Sequence, residues 1–294
     1  MKSTTIIKSI NKNNENFPQL LKTISDCPNT IYFLGNLPNN KIPLIAIVGT
    51  RKASYQGKII AKKLAQELST AGFIIVSGLA LGIDKTAHEG ALLGPNPTIA
   101  VLANGLDKIY PSSHTNLAME ILNKNGCIIS EYPEKTPPLP HQFLARNRII
   151  SGLSIATIVV EAPIHSGSLV TAKYALDQGR EVFVVPGSIL EANYAGSNLL
   201  LRFGARIITQ SQDVIEDLQN ILQNYNFNIQ NLNDQTTINN EQNIILNAIT
   251  NNKTPLTIDK IIQITKLEPQ IVSTTITILL LENKIKETPQ GFTI

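Results

Sequence analysis

The residues best suited to hold an anion fall in three glycine-bearing loops, each between a short apolar run and a helix-like segment. The first is Gly49-Thr50-Arg51-Lys52-Ala53-Ser54. A glycine after a strand lets backbone approach a phosphate at a helix N-terminus. Arg51 projects from the same end, and Lys52 continues a run to Lys63 that holds five cations and no acid. The second loop, Ser77 to Asp84, sets Gly78 and Gly82 before a helix that Asp84 is placed to cap. The third ends in Ser166-Gly167-Ser168, whose amides and hydroxyls suit an anion, although helix capping explains the serines equally well. A helical stretch, Phe143 to Leu153, adds Phe143, Arg146 and Asn147 on one side at i, i+3 and i+4. An aromatic ring beside guanidinium groups suits a stacked base next to a phosphate. The competing reading is a core Phe143 with Arg146 and Arg148 paired to acids such as Glu131 or Glu161.

Other chemistries find little support. The first loop does not match G-x-G-x-x-G, and the second strand ends in Ser77 rather than in an acid able to hold a ribose, which argues against a nicotinamide dinucleotide. The ATP-loop pattern fails because Gly57-Lys58 is followed by Ile59. Neither the histidines at 88, 114, 141 and 165 nor Cys27 and Cys127 show metal-ligand spacing, and no G-x-S-x-G elbow is present. No cofactor or metal is therefore expected, and His88, on an apolar helix, reads as a core histidine.

These loops need a scaffold. Residues 44–210 alternate strand and helix signals, with strands over Leu44–Val48, Phe73–Val76, Thr98–Leu102, Cys127–Ser130, Ile155–Val160, Glu181–Val185 and Ala205–Ile208. Between them, Gly57–Ala71 reads as an amphipathic helix with Ile59, Ile60, Leu64 and Leu68 on its buried face and Gly72 as its stop. Helices also fit Asn116–Asn125, Phe143–Leu153, Ser168–Gln178 and Ser197–Phe203. Continuous apolar strands between helices imply an α/β fold, with a mostly parallel sheet covered on both faces and ligands at the carboxyl ends of its strands. From Gln219 to Asn240, Asn and Gln make up 12 of 22 residues, a polar linker. Three helices, Glu241–Ile249, Ile258–Thr265 and Pro269–Leu281, and a final hairpin then suggest a winged helix. The expected organisation is a short N-terminal extension (1–43), an α/β sheet domain (44–218), the linker (219–240) and a winged-helix-like domain (241–294).

Composition bounds the setting. The 294 residues carry a net charge of +3 and 43% hydrophobic residues, ample for a large core. Residues 1–218 hold a net +4 and residues 219–294 a net −1, which assigns any polyanion to the sheet domain. No apolar run approaches a bilayer span, the start lacks a signal peptide's apolar centre, and two cysteines make no disulfide framework. The expectation is a cytoplasmic protein with no membrane contact.

Taken together, GTRKAS (49–54), SGLALGIDKTAHEGAL (77–92), IYPSSH (109–114), ISEYP (129–133), FLARNRIISGLS (143–154) and SGSLVTAKYALDQGREVFVVPG (166–187) resemble the DNA processing protein A family (DprA, also called Smf). The resemblance implies an extended Rossmann-like domain that forms a homodimer and binds single-stranded DNA without sequence preference. It also implies protection of incoming strands in natural transformation, loading of RecA, and no enzymatic activity. It matches Arg51 to the family's phosphate-binding arginine, Phe143 to an aromatic near the DNA path, and Arg146-Asn147-Arg148 to its R-N-R string. Gly49, Thr50, Ser166, Gly167 and Ser168 fall on its pocket loops, and Lys52 is counted with them as DNA-binding. Two departures stand out: Leu81 where relatives often carry a base, and Pro140-His141 where many carry a DNA-contacting lysine. The runner-up is a nucleotide-processing hydrolase of the lysine-decarboxylase-like group, marked by P-G-G-x-G-T-x-x-E. Aligning Gly167-Ser168 on G-T puts Thr171 in place of its catalytic glutamate. A transcription factor acting through the winged helix is opposed by Pro269–Leu281, which carries no Lys or Arg.

Overall fold

The computed structural model describes residues 6–225, 237–252, 254–282 and 284–294, with residues 237–240 described by their backbone alone. The chain divides into two compact units, Met1–Phe227 and Asn228–Ile294. In the first, elements follow in the order β1 (Lys8–Asn11), α1 (Gln19–Lys22), β2 (Thr30–Gly35), β3 (Leu44–Val48), α2 (Tyr55–Thr70), β4 (Ile74–Ser77), α3 (Ile83–Ala91), β5 (Thr98–Val101) and α4 (Thr115–Asn123). They continue with β6 (Cys127–Ser130), α5 (Pro140–Leu153), β7 (Ala156–Val159), α6 (Gly167–Asp177), β8 (Glu181–Val184), α7 (Ala195–Arg202), β9 (Arg206–Ile207), α8 (Ser211–Asp217) and α9 (Gln219–Leu222).

The nine strands form one sheet in the order β1-β2-β6-β5-β4-β3-β7-β8-β9. From β6 to β9 every pairing is parallel. Strands β3 to β7 are buried at every residue because helices cover both faces. On one face Leu44, Ala46 and Val48 of β3 pack with Ile149, Ile150 and Leu153 of α5 and Ala172 and Ala175 of α6. On the other, Ala100 and Ile128 pack with Leu117, Ala118 and Ile121 of α4, and Thr98 of β5 meets His88 of α3.

The first 43 residues are not a separate extension. Strands β1 and β2 add an antiparallel edge beyond β6, and Phe17, Leu21 and Ile24 join the core beneath α5. Ile31–Gly35 has the pattern of a strand and turn, but Lys8–Asn11 has one apolar residue, and the inner partner, β6, lies about a hundred residues away. Along α2 the buried stripe is Gly57, Ala61, Leu64, Ala65 and Leu68, while Ile59 is 49% exposed. The small residues take the face against α3, where Gly90 lies so close that an added Cβ would meet the Lys62 carbonyl at 2.2 Å.

The second unit contains α10 (Thr237–Thr250), α11 (Ile258–Thr265) and α12 (Pro269–Leu281), then an antiparallel pair, β10 (Lys286–Thr288) and β11 (Gly291–Thr293). Its core includes Ile245, Ile261, Val272, Ile276, Leu279 and Phe292. Leu256 bridges to Phe292 through two backbone hydrogen bonds and so adds a third extended segment to the pair. Thr257 sits at the N-cap of α11, but its side chain makes no capping bond. Half of the sequence-predicted linker, residues 226–236, lies outside the described residues. Among the described residues no helix is long and apolar enough to cross a membrane.

Candidate nucleic-acid interface

Chain order runs outward from β3 through β4, β5 and β6, then returns to the other side of β3 with β7. The loops after β3 and β7 therefore diverge, and a crevice opens at the carboxyl ends of these two strands. A cleft of about 330 Å³ occupies it, lined by Gly49, Thr50 and Arg51 after β3, by Phe143, Arg146 and Asn147 of α5, and by Ser166, Gly167 and Ser168 where α6 begins. Asp84 and Thr171 complete part of the wall.

The first loop is held from below. The Thr50 amide donates to the Glu161 carbonyl at 2.7 Å, and the Thr50 carbonyl accepts from Ile83 N–H at 3.2 Å. Gly49 is needed for packing: a Cβ there would come within 2.5 Å of Ile83 and 2.9 Å of the Glu161 carbonyl. The buried Glu161 carboxylate accepts from both the amide and the hydroxyl of Ser54, the N-cap of α2, and the Ser54 hydroxyl in turn accepts from Gly57 N–H. So anchored, the loop presents Arg51 outward. Its guanidinium lies over the Phe143 ring at 5.4 Å from the centroid, and Tyr110 tilts against the same ring, with centroids 5.5 Å apart. Among the described residues no carboxylate lies within ion-pair distance of Arg51, so its charge faces the cleft unneutralised. A cation stacked on an aromatic keeps its hydrogen-bonding edge free for a phosphate.

This arrangement can be set beside known proteins. The model of the family described as DNA recombination-mediator protein A matches residues 8–219. This chain belongs to that family. It is 45% identical over 202 residues to protein Smf of Escherichia coli, an alignment covering 69% of this chain and 54% of that one. It is 41% identical over 203 residues to DNA processing protein DprA of Streptococcus pneumoniae, covering 69% and 71% respectively. The pneumococcal DprA structure superposes with a TM-score of 0.68 at 40% identity, covering 72% of this chain and 74% of that one. DNA processing protein A of Helicobacter pylori, a single-stranded DNA binder, superposes with a TM-score of 0.67 at 35% identity, covering 75% and 99%. The α/β fold with its mostly parallel sheet is thus the fold of this family.

Within that family fold, the structure sorts the expected site residues. Arg51, Phe143, Asn147, Ser166, Gly167 and Ser168 come together at the cleft. Arg146 also borders it but is only 4% exposed, because its guanidinium points into the protein. It donates to the Gly78 carbonyl at 2.7 Å and to the Val101 carbonyl. Asp84, which does not cap its helix, accepts from Gly78 N–H at 3.0 Å from beside this guanidinium. Burial pushes the Asp84 carboxyl above the usual carboxylate range against the opposing pull of Arg146. Burial likewise lowers Arg146 to about 10, with Asp84 opposing and Arg51 adding to the fall. The pair is a clamp on the second loop, so Arg146 acts as a positioning residue rather than as a free phosphate ligand.

Arg148 lies outside the cleft. It bonds Glu131 at 2.7 Å and Asp26 at 2.8 Å, with its side chain 12% exposed. The R-N-R string thus splits by helical geometry: Arg146 runs inward beneath the cleft, Asn147 faces it, and Arg148 turns away toward Glu131 after β6. Lys52 is exposed and borders the neighbouring groove, while its carbonyl accepts from Asn193. Ser166 caps α6 by accepting from Ser168 N–H at 3.3 Å, and the Gly167 carbonyl accepts from Asn147. His88 is fully buried with Nδ1 on Thr98 Oγ1 at 2.8 Å. The sequence reading missed Tyr110, although it lies in the quoted IYPSSH string, since nothing in local spacing says that it meets Phe143.

Proposed function

We propose that the chain binds single-stranded DNA without sequence preference in the switch-point cleft and shields the strand during transformation and recombination. It does so as a cytoplasmic homodimer that helps load RecA. The observation that carries this reading is the Arg51–Phe143–Tyr110 stack at the lip of the cleft. An unneutralised guanidinium offers a phosphate a bidentate partner, and the two rings offer unpaired bases a surface that any base can use. A duplex keeps its bases stacked internally and gains only the first interaction, so single strands should be preferred.

The reading is of a binder rather than of a hydrolase. Thr171, buried in the cleft wall, stands where the runner-up needs a catalytic glutamate, and the nearby Asp84 carboxylate is committed to Gly78. Such a site lacks the free carboxylate on which that hydrolysis depends for acid–base work. For the second unit we assign a protein-contact role, because α12 carries no cation with which to read a duplex.

Fluorescence anisotropy with single- and double-stranded oligonucleotides across a salt series tests this. Preference for the single strand is expected, with log affinity falling linearly in log salt by about 0.7 per phosphate contacted. Equal affinity for both forms would contradict it. RecA assembly on a strand already covered by single-strand-binding protein, with and without this chain, tests the loading step.

A further inference from the structure

A second groove adjoins the cleft on the other side of Arg51. It measures about 480 Å³ and runs between the opening turns of α2 and α3, past Ser113 and His114. Lys52, Lys58 and Lys85 border it, and Arg51 borders both it and the first cleft. Lys52 and Lys58 are exposed, and the Lys85 side chain is 44% exposed. The one acid in the lining, Glu89, pairs with Lys85 at 3.4 Å across one helical turn, a half-exposed contact that an arriving phosphate readily displaces. Leu81, 49% exposed, gives the groove an apolar edge.

We propose that this groove is a second backbone subsite for the same DNA strand, in which Arg51 holds the phosphate at the junction and Lys58 and Lys85 neutralise those that follow. The inference rests on the single-strand reading of the first cleft. The groove is open to solvent, and its three lysines offer mobile ammonium groups on separate loops and helices, which suits a polyanion better than a free phosphate ion. Tyr110 and Phe143 are absent from its lining, so this segment binds by charge alone and leaves its bases unstacked. Lys58 and Lys85 thereby supply cations for which the first cleft has only Arg51 and Arg146, the latter buried.

The test compares wild type with the Lys58→Gln/Lys85→Gln double variant on two lengths of deoxythymidine oligomer, one just filling the first cleft and one several times longer. Both substitutions are at solvent-facing positions, and a thermal melt checks that the fold is kept. The expected result is unchanged affinity for the short oligomer. For the long one, the salt slope should be smaller by about 1.4, equivalent at low salt to roughly a sevenfold weaker complex across a fourfold salt change. Identical slopes on the long oligomer would overturn the proposal. An equal loss on both lengths would overturn it too, because the lysines would then belong to the first cleft. Arg51→Ala should weaken both lengths. If wild type binds neither oligomer, the single-strand reading itself fails, a result distinguishable from failure of the second subsite alone.

Discussion

Replacing Arg146 by Met tests whether the residue holds the second loop or touches DNA. The guanidinium is buried, donates to two carbonyls, and stands beside the buried Asp84 carboxylate. Each hydrogen bond from a charged donor is worth about 1.5–3 kcal/mol. Both bonds are lost at once, and the buried Asp84 carboxyl loses the charge beside it, so Arg146→Met should lower stability by about 3–5 kcal/mol. Against a typical total of about 5–15 kcal/mol, the variant should still fold at low temperature. Asp84→Asn in the same chain removes the stranded carboxylate and should return part of the loss, leaving a coupling of about 1 kcal/mol or more. Urea unfolding of the four proteins at neutral pH measures both quantities. A loss below about 1 kcal/mol for Arg146→Met, together with collapsed DNA binding, would refute the clamp and make Arg146 a direct phosphate ligand.

Three further outcomes follow from the same geometry. Gly57→Ala would be stabilising by about 1 kcal/mol on helix propensity alone, yet its Cβ would meet the Glu161 carboxylate at 2.4 Å, so the Ser54 cap is displaced and a net loss is expected in thermal melts. Burial first, and then the His114 and Arg146 charges, lower the His88 imidazole to about 3. The unfolded chain takes up a proton near pH 6.5 that the folded chain refuses, so stability should fall below that pH by about 1.4 kcal/mol per unit; urea midpoints from pH 7 to 5 should fall less steeply for His88→Gln than for wild type. Tyr110→Ala should weaken single-strand binding by about 1–3 kcal/mol in anisotropy titrations while leaving the salt slope unchanged, because stacking rather than charge is removed.

Much of the sheet domain is legible in the sequence, and the reason is physical. Strands β3 and β6 are found at their observed limits because both faces are buried and the apolar run ends where the chain leaves the sheet. Gly72, at φ +110°, ends α2 as its position suggests. What local pattern does not carry is pairing over distance. The edge strands β1 and β2 look like weak fragments until β6 is beside them. Asp84 has the spacing of a cap, but its carboxylate is claimed by Gly78 and held there by Arg146, more than sixty residues on. Arg148 likewise belongs to Glu131 and Asp26, the reading that the sequence held open for it. Arg51 and Phe143 are found as separate signals, and only the fold stacks one upon the other and adds Tyr110.

The most direct test of the central claim is the affinity of wild type and Arg51→Ala for one single-stranded oligonucleotide at low salt. Arg51 is exposed and carries no ion pair among the described residues, so its removal should leave the melting temperature unchanged while reducing affinity at least tenfold and shrinking the salt slope by about 0.7. Equal affinity and an equal slope for the two proteins would contradict the account.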